Sequence, residues 1–209
     1  MNRCAFLNNE VTATQASGGG VWSETGDIVV INATFTGNSA TGTAPEADGG
    51  VHGGAAAQNR ATGRHQYINC TIVGNHTDGD GGALSIKEFV SSMGDLISAD
   101  AHLVQNTILA DNTGGNCDQV HVHATSNGFN VIDNGTCSWA TDTGDQVDVA
   151  DPIVDALVGS TFLPADSGPA IDVVPDAACI DHEGNALAAD QRGELRPNGA
   201  GCDAGAAER

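Results

Sequence analysis

The amino-acid sequence predicts an all-β protein in which one unit repeats along the chain, and two alternating signals carry this prediction. Short phrases that close on asparagine recur four times, and the last three closing residues stand 37 positions apart. These closing residues are Asn9, Asn38, Asn75 and Asn112. Glycine runs at residues 18–20, 49–50 and 81–82 alternate with the phrases. Two signals in alternation indicate a repeated supersecondary unit.

The strand pattern of the unit is clearest at residues 27–36, which we expect to form one continuous strand. Its inner face is predicted to hold Val29, Ile31, Ala33 and Phe35. The second copy repeats this pattern with Ile68, Cys70 and Ile72 inside. In the third copy Gln105 falls in the Ile31 column, so a slipped or bulged strand is expected there. Polar insertions are expected at residues 53–66 and 85–101.

The repeat has strands, glycine turns and no helical period, which predicts a right-handed parallel β-helix of about four to five coils. One coil cannot bury its own inner face, so stacked coils must supply the core. The coils are assigned to residues 1–134. Residues 135–209, where the repeat stops, are expected to form an irregular cap that packs on the end of the solenoid.

The closing asparagines are expected to lie in a column along this solenoid. Amide side chains that are stacked at strand spacing can hydrogen-bond to one another, and asparagine also tolerates the left-handed backbone of a sharp corner. The chain opens inside a repeat phrase, which predicts that earlier coils and a signal segment are missing. An uncovered first coil is expected to self-associate through its strand edge.

The charge of the chain excludes several partners. It has 27 acidic and 7 basic residues, with a net charge of -20. Nucleic acid needs a basic face, so it is excluded, and anionic membrane surfaces are disfavoured. No apolar run reaches the length of a transmembrane helix. The acidity is interpreted either as surface solvation or as a capacity to take up divalent cations.

The cysteine pattern favours two disulfides and an oxidising compartment. Cys117 and Cys137 are neighbours in the irregular part of the chain, as are Cys179 and Cys202. No CxxC motif occurs, so a zinc ribbon is not expected. Cys4 and Cys70 share a repeat position, but a coil separates them, which leaves them about twice the strand spacing apart and unable to bond.

Several motifs resemble a known family. Residues 69–75 and 106–110 are similar to the repeats of bacterial right-handed parallel β-helix proteins and of polymorphic outer-membrane proteins. The succession of residues 126–132, 168–172, 190–193 and 202–206 is similar to the C-terminal region of the choice-of-anchor Q group of surface proteins. The resemblance covers nearly the whole chain. It implies a secreted or cell-surface β-helix of undefined activity that continues into an anchor, and we expect that anchor to be missing from this chain.

Two sets of side chains are candidates for metal binding. Asp78 and Asp80 lie in a glycine-rich turn and supply part of a Ca²⁺ shell, so Ca²⁺ is a possible cofactor. His121 and His123 alternate on a predicted strand, where both rings share a face and can hold a transition metal if a third ligand arrives. The simpler interpretations are a corner turn for the aspartates and exposed strand positions for the histidines.

The outward strand positions carry neither acid nor base, which argues against catalysis on them. These positions are Asn32, Thr34, Thr36, Asn69, Thr71 and Val73. We therefore expect a non-catalytic extracellular or cell-surface module for adhesion or display, with an unknown surface or carbohydrate ligand. The alternatives are a carbohydrate-active β-helix enzyme and a calcium-stabilised binding module. Arg192 and Arg196, set among aspartates, are expected to form ion pairs that fix the cap.

Overall fold

A computed structural model describes residues 1–24, 26–45, 50–59, 63–87, 102–118, 124–150 and 153–209. Within these residues the protein is all-β, with one short 3₁₀ turn at Asp176–Ala178. The chain runs through successive circuits, which we call coils, and each coil pairs in parallel with the next.

The strands follow the coils in chain order. The first coil contains β1 (Ala5–Leu7), β2 (Glu10–Thr12), β3 (Ala16–Ser17) and β4 (Val21–Ser23). The second contains β5 (Ile28–Ile31), β6 (Thr34–Thr36), β7 (Ser39–Thr41), β8 (Val51–His52) and β9 (Ala56–Asn59). The third contains β10 (His65–Ile68), β11 (Thr71–Val73), β12 (His76–Thr77) and β13 (Leu84–Lys87). Then follow β14 (His102–Gln105), β15 (Ile108–Ala110), β16 (Ala124–Ser126), β17 (Val131–Ile132), β18 (Val154–Val158) and β19 (Thr161–Pro164).

The sheets run across the coils. The largest, which we call the five-stranded sheet, has the order β1-β6-β11-β15-β17. Beside it lie β5-β10-β14-β16, β2-β7-β12, β4-β9-β13 and the pair β3-β8. Every one of these pairings is parallel, and the hairpin β18-β19 is antiparallel. The register is regular: Ile72 pairs with Phe35 on one side and with Leu109 on the other.

The asparagine ladder forms as expected. Asn9 Nδ2 donates to Asn38 Oδ1 at 2.8 Å, Asn38 Nδ2 to Asn75 Oδ1 at 2.8 Å, and Asn75 Nδ2 to Asn112 Oδ1 at 2.9 Å. Each accepting oxygen also receives the backbone N–H of the previous asparagine. The side chains of Asn38, Asn75 and Asn112 also donate to a backbone carbonyl of the preceding coil. For Asn75 this acceptor is Phe35 O. The column thus satisfies amide and backbone groups together in the buried corner.

A second asparagine column breaks the strand that was expected over residues 27–36. β5 ends at Ile31 and β6 begins at Thr34, with Asn32 between them in the left-handed region at a φ of 50°. Asn69 and Asn106 repeat this corner at 50° and 51°. The corner shifts the alternation of inward and outward side chains by one residue. Val30 before the corner and Ala33 after it both enter the core cluster, whereas Ile31 does not. The assignment of Val29, Ile31 and Ile68 to the inner face was therefore wrong.

Gln105 does not disturb its strand. It pairs in register with Ile68, and its Nε2 donates to Ala178 O at 3.0 Å. The expected slip is absent because this column faces away from the core, where a polar side chain finds a partner in the C-terminal region. An amide side chain can therefore occupy at Gln105 the position that Ile31 and Ile68 hold in the first two copies.

The glycine corner also differs from the expected alignment. Gly18 N–H donates to His52 O and Gly53 N–H to Asp80 O, so Gly53, rather than residues 49–50, is the second copy. A Cβ on Gly54 would lie 2.4 Å from His76 O, which excludes a side chain at this corner. The predicted insertion over residues 53–66 was wrong at both ends, since β9 and the first two residues of β10 are part of the coils.

The core is a column of apolar side chains between the sheets. The rings of Phe6 and Phe35 stack at 4.5 Å, and Phe35 meets Tyr67 edge-on at 6.4 Å. Trp139 and Val147 pack against the same cluster at its far end, beyond β17. The buried members are Val30, Ala33, Phe35, Ala55, Ala56, Tyr67, Cys70, Ile72, Ala83, Leu84, Val104, Leu109, Cys117, Ile132, Cys137 and Ala140.

The C-terminal region does not lie over the end of the stack as a whole. Residues 139–149 close that end, where Gln146 bridges to Val131. Residues 153–209 instead lie along the outward side of the five-stranded sheet, where Ala206 N–H donates to Thr71 Oγ1 at 2.9 Å. The expectation that residues 135–209 together cover the end of the stack was therefore wrong for residues 153–209. The reason is that the outward side carries Val73, Ile108 and other apolar groups that need cover.

The four cysteines of the irregular part form the two favoured disulfides. Cys117 bonds to Cys137 within the core cluster, and Cys179 bonds to Cys202 within the C-terminal region. Cys4 and Cys70 are free, as expected from the coil between them. Burial raises the pKa of the Cys70 thiol to about 12, so this side chain acts as a small hydrophobe.

The ladder provides a test of the fold. Asn75→Ala removes the buried centre of the ladder and leaves donors and acceptors of Asn38, Asn112 and Phe35 without their partner. We expect the free energy of unfolding to fall by about 3 kcal/mol or more, since each orphaned buried group costs about 1–3 kcal/mol. Urea unfolding followed by circular dichroism measures this.

The matched control is Asn9→Ala, because Asn9 occupies the same column at its exposed end. A loss of about 1 kcal/mol is expected for it. Equal losses for the two variants would show that position within the ladder is unimportant.

Candidate binding surface

The outward side of the five-stranded sheet is the surface on which catalytic groups were sought in the sequence. In the structure Asn32, Thr34, Asn69, Thr71 and Val73 are all buried there. Asn32 Nδ2 donates to Ala189 O at 2.9 Å. These side chains therefore hold the C-terminal region and are not open to a large substrate.

Gln191 is the polar centre of this contact. Its Oε1 accepts hydrogen bonds from the Thr34 hydroxyl at 2.6 Å and from the Thr161 hydroxyl at 3.0 Å. Its Nε2 donates to Cys4 O at 3.0 Å and to Ser160 O at 3.3 Å. One amide thus joins the first two coils, the hairpin and the C-terminal region. Its position after Asp190 gave no sign of this role in the sequence.

A charged cluster fixes the last residues of the chain. Arg196 Nε lies 3.0 Å from Glu208 Oε1 with both side chains buried, and its other nitrogens donate to Asp203 O and Gly205 O. Arg192 lies 2.8 Å from Asp190 Oδ2. The expected ion pairs therefore form, although Arg196 uses Glu208, which the sequence did not single out.

The pKa values of this cluster reflect burial. Burial raises the pKa of Asp203 and of Glu208 and lowers the pKa of Arg196. Burial also opposes ionisation of Asp190, but hydrogen bonds from the Glu208 amide and from Arg192 hold the pKa of this carboxyl below its ordinary value. The cluster is a closed network whose groups bind one another, which suits a structural role.

Of the two aspartates proposed for Ca²⁺, Asp78 has other partners for its carboxylate. Asp78 Oδ1 lies 3.1 Å from His76 Nε2, and its Oδ2 accepts the Gly42 N–H at 3.0 Å. Asp80 forms a backbone bridge to His52. In the described ranges, no group of three or more His, Cys, Asp and Glu residues is placed to hold a metal ion. His121 and His123 lie outside the described residues.

A buried polar cluster on the outward side of β13 was missed in the sequence. Asp118 Oδ2 accepts the Ser85 hydroxyl at 3.0 Å and lies 3.4 Å from His52 Nδ1. Both contacts end on the same carboxylate oxygen, whereas a nucleophilic triad places the imidazole between hydroxyl and carboxylate. The register could have revealed the cluster, because Leu84 bridges Cys117 and so sets Ser85 beside Asp118.

His65 is a buried titratable group in β10. Its ring meets Tyr67 edge-on at 6.3 Å. Burial lowers the pKa of His65 to about 4, although the negative charge of Asp27 acts in the opposite direction. The imidazole is therefore neutral at neutral pH and belongs to the packing of the coil.

Two open clefts are lined by residues that the structure describes. One, of about 490 Å³, lies on the first coil between Trp22, Val11, Gln15, Ser17 and Gly18. The other, of about 390 Å³, lies on the C-terminal region and is lined by Leu163, Arg192, Glu194, Leu195, Asn198, Glu208 and Arg209. The arginines of the second cleft are paired with acids of the same chain, whereas the first cleft is lined by uncharged side chains.

Comparison of the chain with protein-family models, curated proteins and solved structures finds no match. The search for helices long and apolar enough to cross a membrane also finds none among the described residues.

The pKa of His65 predicts a pH dependence of stability. The folded-state pKa lies below the unfolded value of 6.5, so the contribution of this histidine is present above pH 6.5 and is lost as the pH falls towards about 4. In the wild type, this histidine should lower the free energy of unfolding by about 3 kcal/mol as the pH falls through this window. We expect His65→Phe to abolish that decrease. Urea unfolding of both proteins at several pH values measures the difference in slope.

Because other groups titrate in the same window, the comparison uses the difference between the two proteins. His182→Phe, which makes the same substitution at an exposed histidine, is the control for the change of side chain. Parallel pH profiles for wild type and His65→Phe would contradict the assignment.

Proposed function

We propose that the protein is a non-catalytic extracellular or cell-surface module that serves adhesion or display. One observation carries the proposal: the chain covers the outward side of its own largest sheet with residues 153–209. A β-helix enzyme that works on a polymer needs an open sheet face with carboxylates or a base along it. Here that face holds asparagine, threonine and valine, which bind the covering segment.

The proposal includes a right-handed parallel β-helix. Parallel strands recur in register from coil to coil, and the regular asparagine and glycine corners support a solenoid. Connections between parallel strands of one sheet are right-handed in nearly all proteins, which supports that hand. The resemblance to choice-of-anchor Q surface proteins agrees with this architecture.

An oxidising location is supported by the disulfides. Cys117–Cys137 and Cys179–Cys202 join segments that lack regular strands, where a covalent link restrains the unfolded chain most usefully. The acidic surface suits a protein that must stay soluble at high concentration of salt or of itself. Self-association through the edges of β1 and β2 remains a prediction of the proposal.

A polysaccharide panel tests the absence of catalysis. The protein is incubated with neutral and acidic polysaccharides, and new reducing ends and unsaturated products are measured. We expect neither to exceed the level given by a heat-unfolded sample. Product that is formed by the wild type and lost in Asp118→Asn would favour the carbohydrate-active enzyme.

Calcium provides a second test. After chelation, we expect millimolar Ca²⁺ to shift thermal unfolding no more than Mg²⁺ does, since both carboxylate oxygens of Asp78 already have partners. A site filled at a hundredfold excess over Kd would add about 2.7 kcal/mol. A saturable, Ca²⁺-specific rise that Asp78→Asn abolishes would favour the calcium-stabilised module.

A further inference from the structure

Trp22 is a large aromatic side chain that the fold does not need. Val21 packs against the core, so Trp22, the next residue of β4, points outward, and half of its surface is exposed (50%). The inward column repeats apolar residues at Val21, Ala56 and Leu84, whereas the outward column places Ala57 and Ser85 in register with Trp22. The tryptophan is therefore a feature of the first coil and not of the repeat.

The indole forms one wall of the open cleft on the first coil. Ser17 and Gln15 add a hydroxyl and an amide to the lining, and Val11 adds an apolar side chain, around about 490 Å³. This volume is within the range of small-molecule sites in proteins. Gly18 shapes the cleft, because a Cβ at this residue would lie 2.7 Å from Trp22 Cβ.

We propose that this cleft binds a neutral saccharide. A sugar ring has an apolar C–H face and a rim of hydroxyls, and the exposed indole of Trp22 offers an apolar face of matching size beside the Ser17 hydroxyl. An anionic sugar would meet the field of a chain with a net charge of -20, so uncharged units are favoured. The inference rests on the proposed function and specifies its ligand class.

The cleft differs from the other polar clusters of the protein in its chemistry. The His52–Asp118–Ser85 cluster is buried, and the arginines of the C-terminal region are paired with acids of the same chain. The Trp22 cleft combines an exposed aromatic side chain with an uncharged lining, which suits a ligand that has one apolar face and no net charge.

The test is a binding screen with the complete chain. Immobilised protein is probed with neutral oligomers of glucose, mannose, xylose and N-acetylglucosamine, and with acidic oligomers of galacturonic acid. We expect at least one neutral oligomer to bind, and the acidic oligomers not to bind at low salt. Titration of the bound oligomer then gives its Kd for each variant.

Trp22→Ala is expected to weaken this binding by about tenfold or more, and Gln15→Ala by less. Leu195→Ala, which truncates another exposed apolar side chain (76% exposed), is the matched control and should bind like the wild type. Circular dichroism checks that each variant is folded, which is expected because Trp22 lies outside the core.

Three outcomes would overturn the inference. They are binding that survives Trp22→Ala, binding of acidic oligomers alone, and no binding of any neutral oligomer by folded wild-type protein at millimolar concentration. The proposed function is judged separately by the polysaccharide panel. Absence of binding with no product would reject the saccharide site alone, whereas product formation would reject the non-catalytic role.

Discussion

Hydrogen bonds between stacked asparagine side chains set the register on which the other features of this chain depend. The amides of Asn38 and Asn75 each donate to the asparagine of the next coil and to a carbonyl of the coil before it, so three coils meet at each of these two residues. A slip of one residue would break these bonds and would turn the inner side chains outward. The stacking of Phe6 on Phe35 and the pairing of Gly18 with the next corner both follow from this register.

The sequence predicted the asparagine ladder and the parallel stacking, but it missed one feature that also repeats, the corner at Asn32. Asn38, Asn75 and Asn112 recur at a fixed interval, so the ladder and the parallel stacking could be recognised. The corner at Asn32 also repeats, but a left-handed residue within an apparently continuous strand is invisible to an alternation of side chains. This error exchanged Val30 and Ile31 between the inner and outer faces.

Single long-range contacts explain the remaining errors. Ser85 meets Asp118 because Leu84 pairs with Cys117 in the neighbouring coil. This pairing can be read from the sequence only after the coils have been aligned with one another. The position of residues 153–209 depends on contacts such as Ala206 with Thr71, which no local pattern encodes. The disulfides could be predicted because cysteines that are close in sequence and share an irregular region have few other partners.

The position of the C-terminal region changes how the stack should lose its structure. In most solenoids each repeat touches only its neighbours, so the ends open first and unfolding spreads coil by coil. Here Gln191 reaches Cys4 in the first coil across 187 residues of sequence, while the Gly205 N–H donates to Asn106 O between β14 and β15. One segment therefore clamps several coils at once and opposes the fraying of any single coil. Such contacts between distant residues close late in folding, so this repeat protein should behave kinetically like a slow-folding globular β-domain.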